Sequence, residues 1–109
     1  MARDRGLEAL LREDLAAACG LTEKPMFGGW AWLLRGHLLV GARDDGMLVR
    51  LGKDRDEWAL AQADIAPMIS RGRRMSGWVR AGPNAFGDDA VRRKLIDMAL
   101  IFVRSLPAR

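Results

Sequence analysis

The side chains that carry most enzyme chemistry are scarce in this chain. Its 109 residues offer one histidine (His37), one cysteine (Cys19), one threonine (Thr22), no tyrosine and three serines (Ser70, Ser76 and Ser105). A Ser-His-acid triad would have to be built on His37. That residue follows the tight-turn pair Arg35-Gly36 at the start of a strand-like run, a setting that suits a solvated turn side chain better than a general base. Cys19 falls in the last turn of the first amphipathic stretch. Thiolates are favoured at helix N-termini or beside cations. A helix C-terminus has the opposite field, so Cys19 reads as a small packing residue. Zinc needs clustered Cys and His, and this chain has one of each. Asp44, Asp45, Asp54 and Asp56 match no calcium loop; turn and capping roles account for all four. The expectation is a non-enzymatic chain with no catalytic residue, no metal and no cofactor.

Two motifs point instead to surfaces. The adjacent glycines Gly28 and Gly29 lack the strand-loop-helix context and the Lys-Ser/Thr ending of a phosphate loop. Inside a strand-like run they signal a bend, a bulge or a close backbone approach. The basic turn Arg71-Gly72-Arg73-Arg74 is followed by Met75, Trp78 and Arg80. Arginine can hold phosphates while tryptophan stacks on a base, which makes Arg71, Arg73, Arg74, Trp78 and Arg80 the candidate nucleic-acid surface. Four tryptophans and six methionines are the other unusual feature. Core packing accounts for most of them. An exposed aromatic and methionine patch rimmed by arginine would instead be a protein-binding surface.

Composition bounds these readings. The length predicts one domain spanning residues 1–109. Half the residues are hydrophobic and 29% are charged, as in a soluble domain with one core. The apolar run from Gly28 to Leu34 is too short to span a bilayer, and no secretory signal opens the chain. A single cysteine excludes an intramolecular disulfide and fits a reducing compartment, so a cytoplasmic location is expected. The net charge is +4 and the isoelectric point about 10.2. Fifteen of the eighteen basic residues are arginine, and acids are interspersed among them. Net charge therefore argues less for nucleic acid than a local patch would.

The elements that must position these residues follow from periodicity. Leu7, Leu10, Leu11, Leu15 and Ala18 recur at helical spacing, with Gly20 just past the end. Met26 to Leu34 reads as a strand apolar on both faces, with Trp30 and Trp32 on one side. Arg35-Gly36 turns the chain into a second strand, His37 to Ala42. Arg43-Asp44-Asp45-Gly46 turns it into a third, Met47 to Leu51, with Met47, Val49 and Leu51 on one face and Leu48 and Arg50 on the other. Asp54 and Glu57 have capping-box spacing for a short helix to about Asp64 that buries Trp58, Ala61 and Ile65. Met68 to Ser70 and Met75 to Ala81 form a fourth and fifth strand, broken by Gly82-Pro83-Asn84. Asp88 or Asp89 begins a last helix whose stripe is Val91, Leu95, Met98, Ala99, Phe102 and Leu106. The expected fold is α+β: a single antiparallel five-stranded sheet with three helices, in the order α-β-β-β-α-β-β-α.

Met26-Phe27-Gly28-Gly29-Trp30 resembles the Met-Phe-Gly-Gly-aromatic opening of the first hairpin in the TfoX/Sxy N-terminal domain family. Gly72-Arg73-Arg74-Met75-Ser76-Gly77-Trp78 resembles that family's Gly-Arg-Pro-Met-x-Gly-Trp segment, with Arg74 where proline is common. Ser105-Leu106-Pro107 resembles its C-terminal edge. The resemblance covers nearly the whole chain and implies a sheet-and-helix fold like that of secretion chaperones. Full-length relatives regulate natural competence together with the cyclic-AMP receptor protein and carry a second, C-terminal domain; this chain resembles a stand-alone first domain. The implied function is a protein-interaction domain in transcription or competence regulation. Nucleic-acid binding by the basic turn is the alternative, and an enzyme comes third. A protein partner is expected, no membrane, and a homodimer is an open alternative. Gly29 and Gly77 are expected to serve backbone packing.

Overall fold

A computed structural model describes residues 3–26 and 28–107. The elements run α1 (Arg5–Asp14), β1 (Leu21–Met26), β2 (Gly29–Leu34), β3 (His37–Arg43), β4 (Gly46–Arg50), α2 (Glu57–Leu60), β5 (Ile65–Ser70), β6 (Arg73–Ala81), α3 (Pro83–Phe86) and α4 (Asp89–Arg104). The strands form one antiparallel sheet in the order β1-β2-β3-β4-β6-β5. The α+β class and the antiparallel sheet agree with the sequence. Among the described residues, six strands and four helices replace the expected five and three.

The extra strand comes from the first hairpin. Met26 pairs with Gly29, so the run from Met26 to Leu34 is not one strand but the end of β1, a turn and all of β2. Gly28, at φ +76°, turns the chain. Glycine enters that backbone region without the Cβ clash. Phe27 lies outside the described residues. Strand β1 is polar, mostly exposed and contains Pro25, so it carries little strand signal. An edge strand tolerates proline because one of its backbone edges makes no ladder bonds. The other edge strand, β5, likewise holds Pro67. Proline on both edges discourages pairing with further strands.

The helices begin where side chains cap them. Asp4 accepts from Leu7 N at 2.9 Å to start α1. Asp88 Oδ1 accepts from Ala90 N and Val91 N to start α4. The expected capping box at Asp54 is absent. Asp54 is at φ +64°, and α2 starts after Asp56 with no side-chain cap bond. Helix α2 is one turn long and buries Ala59; Ala61 is exposed, and Ile65 already belongs to β5. Gly82-Pro83-Asn84 does end β6, but it also opens α3, with proline at the first helical position. The Asp64 carboxylate accepts from Asn84 N there at 2.9 Å. Cys19 lies beyond α1 and is exposed, contrary to the packing role expected of it.

All four helices pack on one face of the sheet. Leu7, Leu11, Ala59, Ala85, Leu95, Ala99 and Val103 meet Trp32, Leu34, Val40, Ala42, Met47, Val49, Val79 and Ala81 in one buried cluster. Arg92, only 2% exposed, lies within the stripe of α4. Its Nε donates to Asp14 Oδ2 at 2.6 Å, and its Nη1 donates to Phe86 O at 2.9 Å and Asp89 Oδ1 at 2.8 Å. The hydrogen bond to Asp14 raises Arg92 above the ordinary guanidinium value. One side chain thus ties α1, α3 and α4 together.

Glu8, also 2% exposed, is a further buried charge. Arg3 Nε donates to it at 2.9 Å, and this guanidinium holds the carboxyl below its ordinary value. A lowered folded-state value favours folding above the unfolded value of about 4.3, and the gain disappears as pH falls through the folded value. Glu8→Gln should therefore lower the urea midpoint at neutral pH and flatten its decline in acid. A variant midpoint that falls with acid as steeply as wild type would contradict this.

Candidate functional site

Alternation along the strands leaves a second set of side chains on the face opposite the helices. Leu33, Leu48 and Met68 are buried there, outside the helix-side cluster. Leu38, Leu48, Met68, Met75 and Trp78, with Arg43 and Ser70, line a groove of about 290 Å³. Every lining residue comes from β3, β4, β6 or β5, four adjacent strands.

Gly77 shapes this groove. Met75 and Trp78 are three residues apart, so a regular strand would place them on opposite faces. At Gly77 the backbone is at φ +82°, and the β5–β6 register shifts between Pro67 and Ile69. Two steps along β5, from Pro67 to Ile69, span five along β6, from Val79 to Arg74; the three extra residues are an odd number, so the bulge reverses the facing of β6. Arg73, paired with Ser70, and Met75 thereby share a face with Trp78 and Arg80, while Val79 and Ala81 enter the core. A Cβ on Gly77 would lie 2.5 Å from Lys53 N and closer still to Gly52 C. Gly29 is equally confined: a Cβ there would overlap Ala42 O and lie 3.1 Å from Ala42 C.

The strands contribute only cations to this face, and the acid that meets them, Asp45, comes from the turn between β3 and β4. Paired residues place Lys24, Arg43, Arg50, Arg73 and Arg80 on this face. Glu23, the sole acid within the strands, is on the helix side, opposite Trp32. Arg50 lies 5.2 Å from the Trp78 ring centroid and 5.6 Å from that of Phe102. Arg80 Nη1 donates to Asp45 O at 2.9 Å. Arg43 Nε is 3.2 Å from Asp45 Oδ1 but makes no hydrogen bond among the described residues, and Nη1 donates to the Met68 thioether at 3.8 Å.

The basic turn does not act as one cluster. Arg71 and Gly72, at φ +52° and +77°, form the hairpin tip. Arg73 and Arg80 lie on the groove side with Trp78. Arg74 faces the other way, 3.5 Å from Asp56. It joins Lys53, Asp54, Asp56 and Ser76 around a polar hollow of about 240 Å³. Charges of both signs line that hollow, and Arg74 and Asp56 pair with each other, so it offers no ligand a consistent field. Met26 and Trp30, from the first motif, lie near the β1–β2 hairpin. Trp30 is on the helix face, with Nε1 donating to Glu23 at 2.8 Å and Arg3 4.8 Å from its ring centroid. The Trp30 hydrogen bond is the main cause that holds Glu23 below its ordinary value. Trp30 is thus engaged within the fold, while Trp78 lines the groove.

His37 Nε2 donates to the Pro107 carbonyl at 2.6 Å. Among the described residues no group of three or more His, Cys, Asp or Glu is arranged to hold a metal ion. Nor is any helix among them long and apolar enough to cross a membrane. Sequence reasoning missed Arg43, Leu38, Leu48 and Met68 as parts of a site. The available signal was parity: Leu48 alternates with the core residues Met47 and Val49, so it had to face away from the helices.

No curated protein and no solved structure matches this chain significantly. The family model described as the TfoX N-terminal domain matches residues 13–102, a span that includes both glycine-aromatic motifs, the bulge at Gly77 and every residue of the groove. The chain belongs to the TfoX N-terminal domain family.

Proposed function

We propose that this chain is a non-enzymatic regulatory interaction domain that recruits a protein through the groove face of its sheet. The observation that carries the reading is an apolar groove bearing Trp78 and two methionines, on the face the helices leave uncovered. Apolar surface rimmed by arginine is the composition of protein-binding patches. Membership of a family associated with competence regulation supports a role in transcriptional control. The secretion-chaperone-like arrangement implied by the sequence resemblance also suits a binding module, by analogy alone. A cytoplasmic setting goes with this reading.

Nucleic acid is the second reading, and one observation favours it: the strands place cations and no acid on the groove face. A photo-cross-linking residue at position 75, on the groove, separates the two readings. A second at position 101, on the exposed helix side, is the control. Expression in the native cell should give a nuclease-resistant protein adduct from position 75 and none from position 101. A nuclease-sensitive adduct from position 75 would instead select the nucleic-acid reading.

A further inference from the structure

We propose that the groove takes an apolar side chain from an acidic segment of the partner, and that Arg43 anchors a carboxylate of that segment. This rests on the protein-interaction reading and specifies its chemistry. Three observations carry it.

Apart from Arg43 and Ser70, the lining is aliphatic and thioether, with one aromatic ring. The groove, about 290 Å³ in volume, is small. Pockets for whole small molecules are mostly larger. A groove of this size suits one or two side chains. The second observation is the state of Arg43. Its Nε is the one buried side-chain nitrogen or oxygen without a hydrogen bond among the described residues. Its Nη1 meets a thioether, a weak acceptor. A guanidinium is a fork of donors matched to a carboxylate, and such charge-assisted bonds are stronger than neutral ones. A carboxylate entering beside Met68 would supply what the Met68 sulfur and the misdirected Asp45 do not. The third is the charge of the face: Lys24, Arg43, Arg50, Arg73 and Arg80, with no acid contributed by the strands.

The same charge argues against a second copy of this chain, since two such faces would set cation against cation. It is compatible with nucleic acid, but the remaining features are not. Non-specific strand binding uses successive aromatic platforms for successive bases. Here Trp78 is the single ring in the groove, and Arg50 already lies against it.

The test uses the full chain and three probes: a terminally blocked peptide alternating leucine and glutamate, its counterpart alternating leucine and glutamine, and an oligothymidylate. Methionine methyl NMR reports the site, because Met68 and Met75 line the groove and Met98 lies on α4. The glutamate peptide should shift Met68 and Met75 but not Met98, and bind at least tenfold more tightly than the glutamine peptide. Arg43→Gln should abolish that preference while leaving the affinity for the glutamine peptide unchanged. Arg43→Lys should restore only part of it. A smaller preference in the wild-type chain overturns the proposal, and so does a preference that survives Arg43→Gln. Tighter binding of oligothymidylate at the same methyls overturns it in favour of nucleic acid. If Arg43→Gln does not fold, the two peptides on the unaltered chain decide the matter. A protein adduct from position 75 without any acid preference would overturn this chemistry alone. Acid preference without a protein adduct would overturn the partner reading instead.

Discussion

Arg92→Ala is expected to lower the melting temperature by at least about 10 °C, although Arg92, on α4, is not among the residues that line the groove. Arg92 is 2% exposed and the Asp14 side chain 7%. Removing one partner of a buried ion pair costs about 3–5 kcal/mol, because the other charge remains in a poorly solvated place. In a domain of this size each kcal/mol moves the midpoint by roughly 4–8 °C. The whole stability of a domain is only about 5–15 kcal/mol, so partial unfolding at growth temperature is within reach. Arg93 Nε, 3.5 Å from Asp14 and exposed, can recover part of the loss. The Phe86 carbonyl also loses its donor, which loosens α3. Thermal melting followed by circular dichroism measures the effect. A shift of only a few degrees would show that the Asp14–Arg92–Asp89 network does not hold the helices as described. In the double variant Arg92→Met with Asp14→Leu, no buried charge is left without a partner, and most of the loss should be regained.

The second large effect is expected at Gly77. Gly77→Ala places a Cβ against Gly52 C and Lys53 N, and backbone cannot swing aside as a flexible side chain can. A left-handed conformation costs a non-glycine residue about 1–2 kcal/mol, and overpacking adds about 1–3 kcal/mol. Gly72 is the internal control. Its φ is +77°, close to the +82° of Gly77, but an added Cβ there meets nothing described within 4 Å. Gly72→Ala should therefore cost only the conformational part, about 1–2 kcal/mol. Urea midpoints for the two variants separate conformation from contact; equal losses would refute the close approach of Gly77 to Gly52 and Lys53 as the cause of the larger one. Because the bulge at Gly77 places Met75 beside Trp78, Gly77→Ala should also disturb the groove. Gly72→Ala should leave it intact.

The parts of the fold that were legible in the sequence are those where one physical signal dominates. Helix α4 combines an N-cap aspartate with sixteen residues of helical periodicity. Arg35-Gly36 and Arg71-Gly72 mark tight hairpins because both residues of each pair take positive φ. Strand β4 alternates, and the two faces read from Met47, Val49 and Leu48 are the faces observed. Strand β1 was illegible because an exposed edge strand needs no apolar face, and Pro25 reads as a breaker. The failed capping box has a different cause: Asp54-Arg55-Asp56-Glu57 has the right spacing, but Asp54 is in a left-handed turn. Arg92 hid because a charge on a buried stripe looks like an error in the helical phase. The stripe was read through Val91, Met98 and Phe102, whereas the fully buried positions are Arg92, Leu95, Ile96, Ala99 and Val103. The groove was half legible. Met75, Trp78 and Arg80 stood out as a motif, but Leu38, Leu48, Met68 and Arg43 join them only through pairings distant in sequence and a bulge that no local pattern announces.

The central claim is that the groove face of the sheet is where a protein partner binds. The most direct measurement is the affinity of the protein captured from position 75, purified and titrated calorimetrically against three forms of this chain: wild type, Met68→Glu and Ile101→Glu. Met68→Glu puts a carboxylate into the groove beside Arg43, so it should compete with the partner and weaken binding at least tenfold. Ile101→Glu, on the helix side, should change affinity by less than twofold. Unchanged affinity for Met68→Glu, or a loss confined to Ile101→Glu, would place the interface elsewhere and contradict the account.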